Sequence, residues 1–246
     1  MTQFIVLSNP RCGGILLGTV LGIDHPDVLY YGELFHPITE VRENEAARAT
    51  MSGMYLENKG FSLPPWCPTN EQSDYMDSVF SQEGHKAVGF KVHFAQAKMS
   101  FWRFLEKNPK VKIIHLKREN VFHSYASYVK SLSTGQWHIN GDFNVLQVKP
   151  TTIDPKKMLD YFQEVERQEE KLESLANPTF VVTYEALCNN FREKLKEIFR
   201  FLDLDTINPK KRTSKMTKNY SYIANLDEIV SFFKGSKYES WFETRA

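Results

Sequence analysis

Apolar residues gather in short runs closed by polar, glycine- or proline-bearing stretches, and segments of helical period lie between the runs. The first run, residues 4–7 (Phe-Ile-Val-Leu), has the length of a buried strand. It is followed by the tight segment Ser-Asn-Pro-Arg-Cys-Gly-Gly over 8–14 and an apolar helix predicted over 15–21. Residues 28–31 read as a second strand stopped by Gly32, 87–92 as a third ending at His93, 111–116 as a fourth, and 179–184 as a fifth. Between them the pattern predicts helices over 43–58, over 71–82 with Asn70 as its cap, over 97–107 up to Asn108-Pro109, and over 121–132. A charged amphipathic helix runs from Asp154-Pro155 to about 175, and another starts at Asn190. Strands alternating with helices give an α/β chain with a central parallel sheet of about five strands flanked by helices. No stretch has linker composition, so residues 1–246 are read as a single domain.

Composition narrows the partners. A hydrophobic fraction of 41% suits a globular core. Lys and Arg total 31 against 30 Asp and Glu, so no net field draws the chain to nucleic acid or to an anionic membrane. No apolar stretch approaches the length of a membrane span, and no leader pattern opens the chain. Three cysteines, Cys12, Cys67 and Cys188, lack the spacing of a disulfide scaffold and suggest thiols in a cytoplasmic setting. The polar stretch 134–152 has the length of a lid or binding loop.

The chemistry concentrates at predicted strand ends. Strand, glycine loop and helix start (Arg11, Cys12, Gly13, Gly14, Ile15, Leu16) make an anion site, where backbone N–H groups converge and Arg11 adds a full charge. The loop is not the nucleoside-triphosphate P-loop, because its glycines are adjacent and no Lys-Ser or Lys-Thr follows. Cys12 reads as a small filler, the alternative being a thiol activated by Arg11. A second anion site is expected after the fourth strand, where Arg118 precedes a helix with Ser124 and Ser127 on one face. Two such sites suit one nucleoside carrying phosphates on both sides. Glu33 and His93, at the ends of the second and third strands, are alternative proton acceptors, and Glu33 is favoured. A carboxylate needs desolvation to reach useful basicity, whereas an imidazole starts near it. No His/Cys/Asp pattern has metal-ligand spacing, so no metal is expected.

These stretches together resemble the sulfotransferase family. The loop is similar to its 5′-phosphosulfate motif, Pro-(Arg/Lys)-Ser-Gly-(Ser/Thr)-(Ser/Thr)-x-Leu, at Arg11, Gly13, Leu16 and Leu17, and departs from it at Cys12, Gly14 and Ile15. Arg118-Glu119-Asn120 with Tyr125 and Ser127 resembles the 3′-phosphate motif of the carbohydrate-type bacterial branch, which includes nodulation-factor and trehalose sulfotransferases. The run from Thr134 to His138, with Trp137, looks like the same branch, and 179–187 resembles a strand ending Tyr-Glu-Asp-Leu. The resemblance implies a P-loop-like three-layer fold and 3′-phosphoadenosine 5′-phosphosulfate (PAPS) as co-substrate. It implies a carbohydrate, glycolipid or other small-molecule acceptor. Ser127 is then the 3′-phosphate ligand with Ser124 in reserve, and Tyr184 contacts adenine. Glu33 resembles the base of the carbohydrate-type branch, and His93, in Lys91-Val92-His93, that of the cytosolic small-molecule branch. Trp137 and His138 are candidates to close over the acceptor, and Lys215 and Lys218 to reach the 3′-phosphate. A homodimer is left open. The competing readings are a catalytically silent PAPS-binding protein, suggested by the loss of loop hydroxyls, and, less favoured, a small-molecule kinase.

Overall fold

The computed structural model describes residues 1–36, 71–135, 149–209 and 220–243. The chain divides into two compact units, residues 1–117 with 173–214, and residues 118–172 with 215–246. The predicted helix over 43–58, Asn70, Trp137, His138, Lys215 and Lys218 lie outside the described residues.

The first unit is built on a five-stranded, fully parallel sheet in the order β2-β3-β1-β4-β5. The strands are β1 (Thr2–Ser8), β2 (Val28–Glu33), β3 (Ala87–His93), β4 (Lys112–Lys117) and β5 (Thr179–Thr183). Side chains alternate between the two faces. From β1, Phe4 and Val6 enter a core with Leu16, Leu17, Val20 and Leu21 of the loop helix and with Leu195, Ile198 and Phe199. That helix is α1 (Gly14–Thr19), which runs on into a π-helical turn, Val20–Asp24. On the other face, α2 (Gln72–Phe80) and α3 (Met99–Lys107) bring aromatic rings together, Phe80 with Phe90 and Phe104 among them. Over β1 to β4 both faces are covered, which is why those strands read as nearly unbroken apolar runs, whereas Val181 on the edge strand β5 is exposed.

Two local departures from the predicted pattern matter. Gly32 does not stop β2. It takes φ 65°, and the pairing steps from Tyr30↔Gly89 to Glu33↔Lys91, three residues on β2 against two on β3. This bulge turns Glu33, which strict alternation would aim away from Tyr30, onto Tyr30's own face. At the end of β5, Tyr184 opens a short helix, α6 (Tyr184–Asn189), instead of completing the strand. Thr183 Oγ1 caps it by accepting from the Ala186 N–H at 3.0 Å. Helix α7 (Phe191–Phe201) follows.

The second unit holds α4 (Val121–Thr134), α5 (Pro155–Glu173, whose last residue belongs to the first unit), α8 (Leu226–Phe233) and a 3-10 turn, Glu239–Phe242. Its core is largely aromatic, with Phe122, Phe162, Phe233, Tyr238 and Phe242 buried together. Asn120 caps α4 by accepting from the His123 N–H and ties it to the turn by donating to the Trp241 carbonyl at 2.8 Å.

Candidate active site

The loop after β1 owes its shape to two left-handed residues, Arg11 at φ 67° and Gly13 at φ 90°. For glycine this conformation is free, whereas for an arginine it costs about 1 kcal/mol, a local strain of the kind that collects at functional sites. Gly13 is pressed by Tyr184, since a Cβ there would lie 2.5 Å from the ring's Cδ2. Tyr184, the expected adenine contact, thus lays its ring against the loop. A Cβ on Gly14 would lie 3.0 Å from Lys91 Cδ and 3.3 Å from its Nζ. The side chain that occupies the room beside Gly14, where the family motif carries a hydroxyl, therefore belongs to a lysine. Cys12 is buried in the core with Leu16 and Leu17, its thiol 3.7 Å from the Pro10 carbonyl, as a small filler would be.

Lys91 lies on β3 between Gly89 and His93, all on the face that β3 turns toward α1. The bulge puts Glu33 opposite it. Lys91 Nζ is 2.9 Å and His93 Nε2 3.2 Å from Glu33 Oε2, and Gln96 Nε2 donates to Glu33 Oε1 at 2.7 Å. The side chains of Lys91, Glu33 and His93 are only 13%, 14% and 16% exposed, so these contacts are little screened. On its other side, His93 Nδ1 lies 3.4 Å from Ser8 Oγ and 3.2 Å from the Ser8 carbonyl. The two proton acceptors that the sequence offered as alternatives are thus one hydrogen-bonded pair, and Ser8, Glu33 and His93 all stand at the carboxyl ends of β1, β2 and β3.

The electrostatics follow from this packing. Burial pushes the Glu33 carboxyl upward, but Lys91 and His93 outweigh it and hold the group far below the usual carboxylate range. Burial, and then Lys91, push the His93 imidazole down, against an upward pull from Glu33 and the Ser8 carbonyl. A neutral imidazole beside a carboxylate carries its proton on Nε2, facing Glu33, and Nδ1 then accepts from the Ser8 hydroxyl; this tautomer is assigned from the network. The cluster can take a proton from a hydroxyl. Beside it, an ammonium and a strained glycine loop are placed to meet an anion.

In the second unit, Arg118 Nη1 donates to the His123 carbonyl at 3.1 Å, which folds the side chain over the first turn of α4. Ser124 is buried and its hydroxyl donates to the Val121 carbonyl at 2.8 Å, so it is turned back into its own helix. Ser127 is half-buried.

The sequence reading missed Lys91, Gln96 and Ser8 as site residues. Lys91 had a signal: a lysine inside an otherwise apolar strand of a parallel sheet needs a buried partner. Gln96 had none, since its role depends on the 3-10 turn Phe94–Gln96 that follows β3.

A family model for the sulfotransferase domain matches residues 1–243. Among solved structures, the crystal structure of sulfotransferase from Alicyclobacillus acidocaldarius is similar at TM-score 0.52 and 15% identity, over 95% of this chain and 91% of that one. At that identity the likeness speaks to the fold. No curated protein matches the chain.

Proposed function

We propose that this chain, which belongs to the sulfotransferase family, transfers a sulfuryl group from PAPS to a hydroxyl of a carbohydrate, glycolipid or other small-molecule acceptor. The observation that carries the reading is the buried Lys91–Glu33–His93 cluster beside the glycine loop. PAPS supplies a sulfuryl group on a good leaving phosphate. As the acceptor's oxygen bonds to sulfur and the bond from sulfur to the 5′-phosphate oxygen breaks, 3′,5′-diphosphoadenosine leaves. The acceptor's proton goes to the Glu33–His93 pair. Arg11, Lys91 and the loop N–H groups meet the charge that builds on the leaving phosphate, as in phosphoryl transfer. On this reading Arg118 and Ser127 hold the 3′-phosphate and Tyr184 borders the adenine. The cytoplasm, where cysteines stay reduced, is the fitting compartment.

The same cluster supports a second reading. A carboxylate gripped by Lys91, His93 and Gln96 and held far below its usual range is a weak base, which suits a protein that binds the nucleotide without turnover.

Two measurements test the proposal. At 100 times its dissociation constant, 3′,5′-diphosphoadenosine should add about 2.7 kcal/mol of stability. No thermal shift at millimolar nucleotide would end both readings. Labelled PAPS offered with a panel of sugars and alcohols then separates them, because transfer that is lost in Arg11→Ala excludes the silent binder. Glu33→Gln should keep the thermal shift and lose roughly 10²–10⁴ in turnover. Turnover equal to wild type would remove Glu33 from its role.

A further inference from the structure

Gln96 uses both ends of its side-chain amide inside the cluster. Its Oε1 accepts from the His93 backbone N–H at 2.9 Å, and its Nε2 donates to Glu33 Oε1 at 2.7 Å. Glu33 Oε2 is the oxygen that meets Lys91 and His93. The carboxylate is therefore gripped at both oxygens, and its plane is fixed relative to the imidazole. Gln96 is itself anchored. Its backbone carbonyl accepts from Gln72 Nε2 at 2.8 Å, and Gln72 Oε1 accepts from the Lys98 N–H at 2.9 Å. Gln72, at the start of α2, is 1% exposed. A buried glutamine with both amide atoms committed, one to the last residue of the turn and one to Lys98 just beyond it, holds the end of that turn in place.

We propose that Gln96 is a positioning residue for the base, aiming the Glu33 carboxylate at the reacting hydroxyl, with Gln72 as the anchor that fixes it. The inference rests on the reading of Glu33–His93 as the proton acceptor. The chemistry at position 96 is narrow. The side chain must donate to a carboxylate and accept from a backbone N–H at once, at the reach of three side-chain carbons. Glutamate has the reach but, when ionised, no donor. Leucine has neither group. Among the described residues, the titratable groups that face Glu33 include Lys91 and His93 from β3 and Tyr30 from its own strand, and Gln96 adds a neutral donor to them.

The test uses Gln96→Glu and Gln96→Leu in the full chain, with 3′,5′-diphosphoadenosine as the binding probe. Both variants should keep the wild-type thermal shift with the nucleotide. In Gln96→Glu two carboxylates face each other at hydrogen-bond distance, so the His93 imidazole, followed by its ¹⁵N shifts, should titrate about one pH unit higher than in wild type. Turnover of Gln96→Glu should fall at least about tenfold at neutral pH, and its pH profile should shift upward with the His93 midpoint. Gln96→Leu should lose as much at every pH. An unmoved His93 titration in Gln96→Glu, or a wild-type pH profile in both variants, overturns the proposal. If Gln96→Glu does not fold, the turnover and nucleotide shift of Gln96→Leu decide alone: a loss of turnover with the shift retained supports positioning, and wild-type turnover overturns it. A wild-type protein that ignores the nucleotide refutes the sulfotransferase reading instead, and that result is distinct from either outcome at position 96.

Discussion

Lys91 is the residue on which the site's charge balance turns. Its ammonium is bonded to Glu33 and packed beside Gly14, so it faces both the base and the loop. It lowers the proton affinity of Glu33 and of His93 alike. Removing its charge therefore raises both. In Lys91→Met the His93 ¹⁵N titration should move up, and 3′,5′-diphosphoadenosine, if it shares that charge as proposed, should move it the same way in wild type. A midpoint that stays put or falls in Lys91→Met would contradict this balance. On the proposed reading, the base gains strength when an anion shares Lys91, which would tie proton removal to an occupied loop.

At the scale of the element, the bulge in β2 decides whether the cluster exists. Gly32 holds φ 65°, a conformation that a β-branched residue resists. Gly32→Val should favour regular alternation, which swings Glu33 to the opposite face of the sheet. The expected result is a loss of roughly 1–2 kcal/mol in thermal stability, together with Glu33→Gln-like turnover and an undiminished nucleotide shift. The loop answers to a different substitution. Gly13→Ala meets both a positive φ and the Tyr184 ring, and should cost about 1–3 kcal/mol while weakening nucleotide binding. Removing the ring in Gly13→Ala/Tyr184→Ala should not restore wild-type stability, because the backbone strain remains. Calorimetry with and without the nucleotide checks both elements.

For the whole molecule, acid sensitivity should set in well above the carboxylate range. His115 is buried in β4, edge-on to Phe94, and burial, followed by Lys117, lowers its pKa from 6.5 to about 4. The unfolded imidazole takes up a proton near 6.5 and the folded one does not until about 4. Stability is thus complete above pH 6.5 and drains away as the pH falls toward 4, by about 3 kcal/mol for this residue. Glu33, held far below its ordinary 4.5, adds a further loss only below that value. Melting temperature against pH should therefore decline from 6.5 downward, and His115→Gln should flatten the upper part of the decline. A flat profile between pH 6.5 and 4.5 in wild type would refute the assignment.

The sequence by itself determined the strands, their parallel arrangement and the glycine loop. Runs such as Phe4 to Leu7 can satisfy their backbone and bury both faces in only one kind of layer. It also offered Glu33 and His93 as separate candidates, since polar residues that close apolar runs fall at strand ends. Their union was decided by tertiary structure. Whether Glu33 meets His93 depends on one extra residue in β2, and a local pattern cannot tell a strand stop at Gly32 from a bulge. Tyr184 read as the end of a strand because its apolar run continues, and the cap at Thr183 turned it into a helix whose ring props the loop. Gln96 and Gln72 stayed silent for the same reason: an amide is chosen by the two groups it must join, and those groups lie far apart along the chain until the fold brings them together.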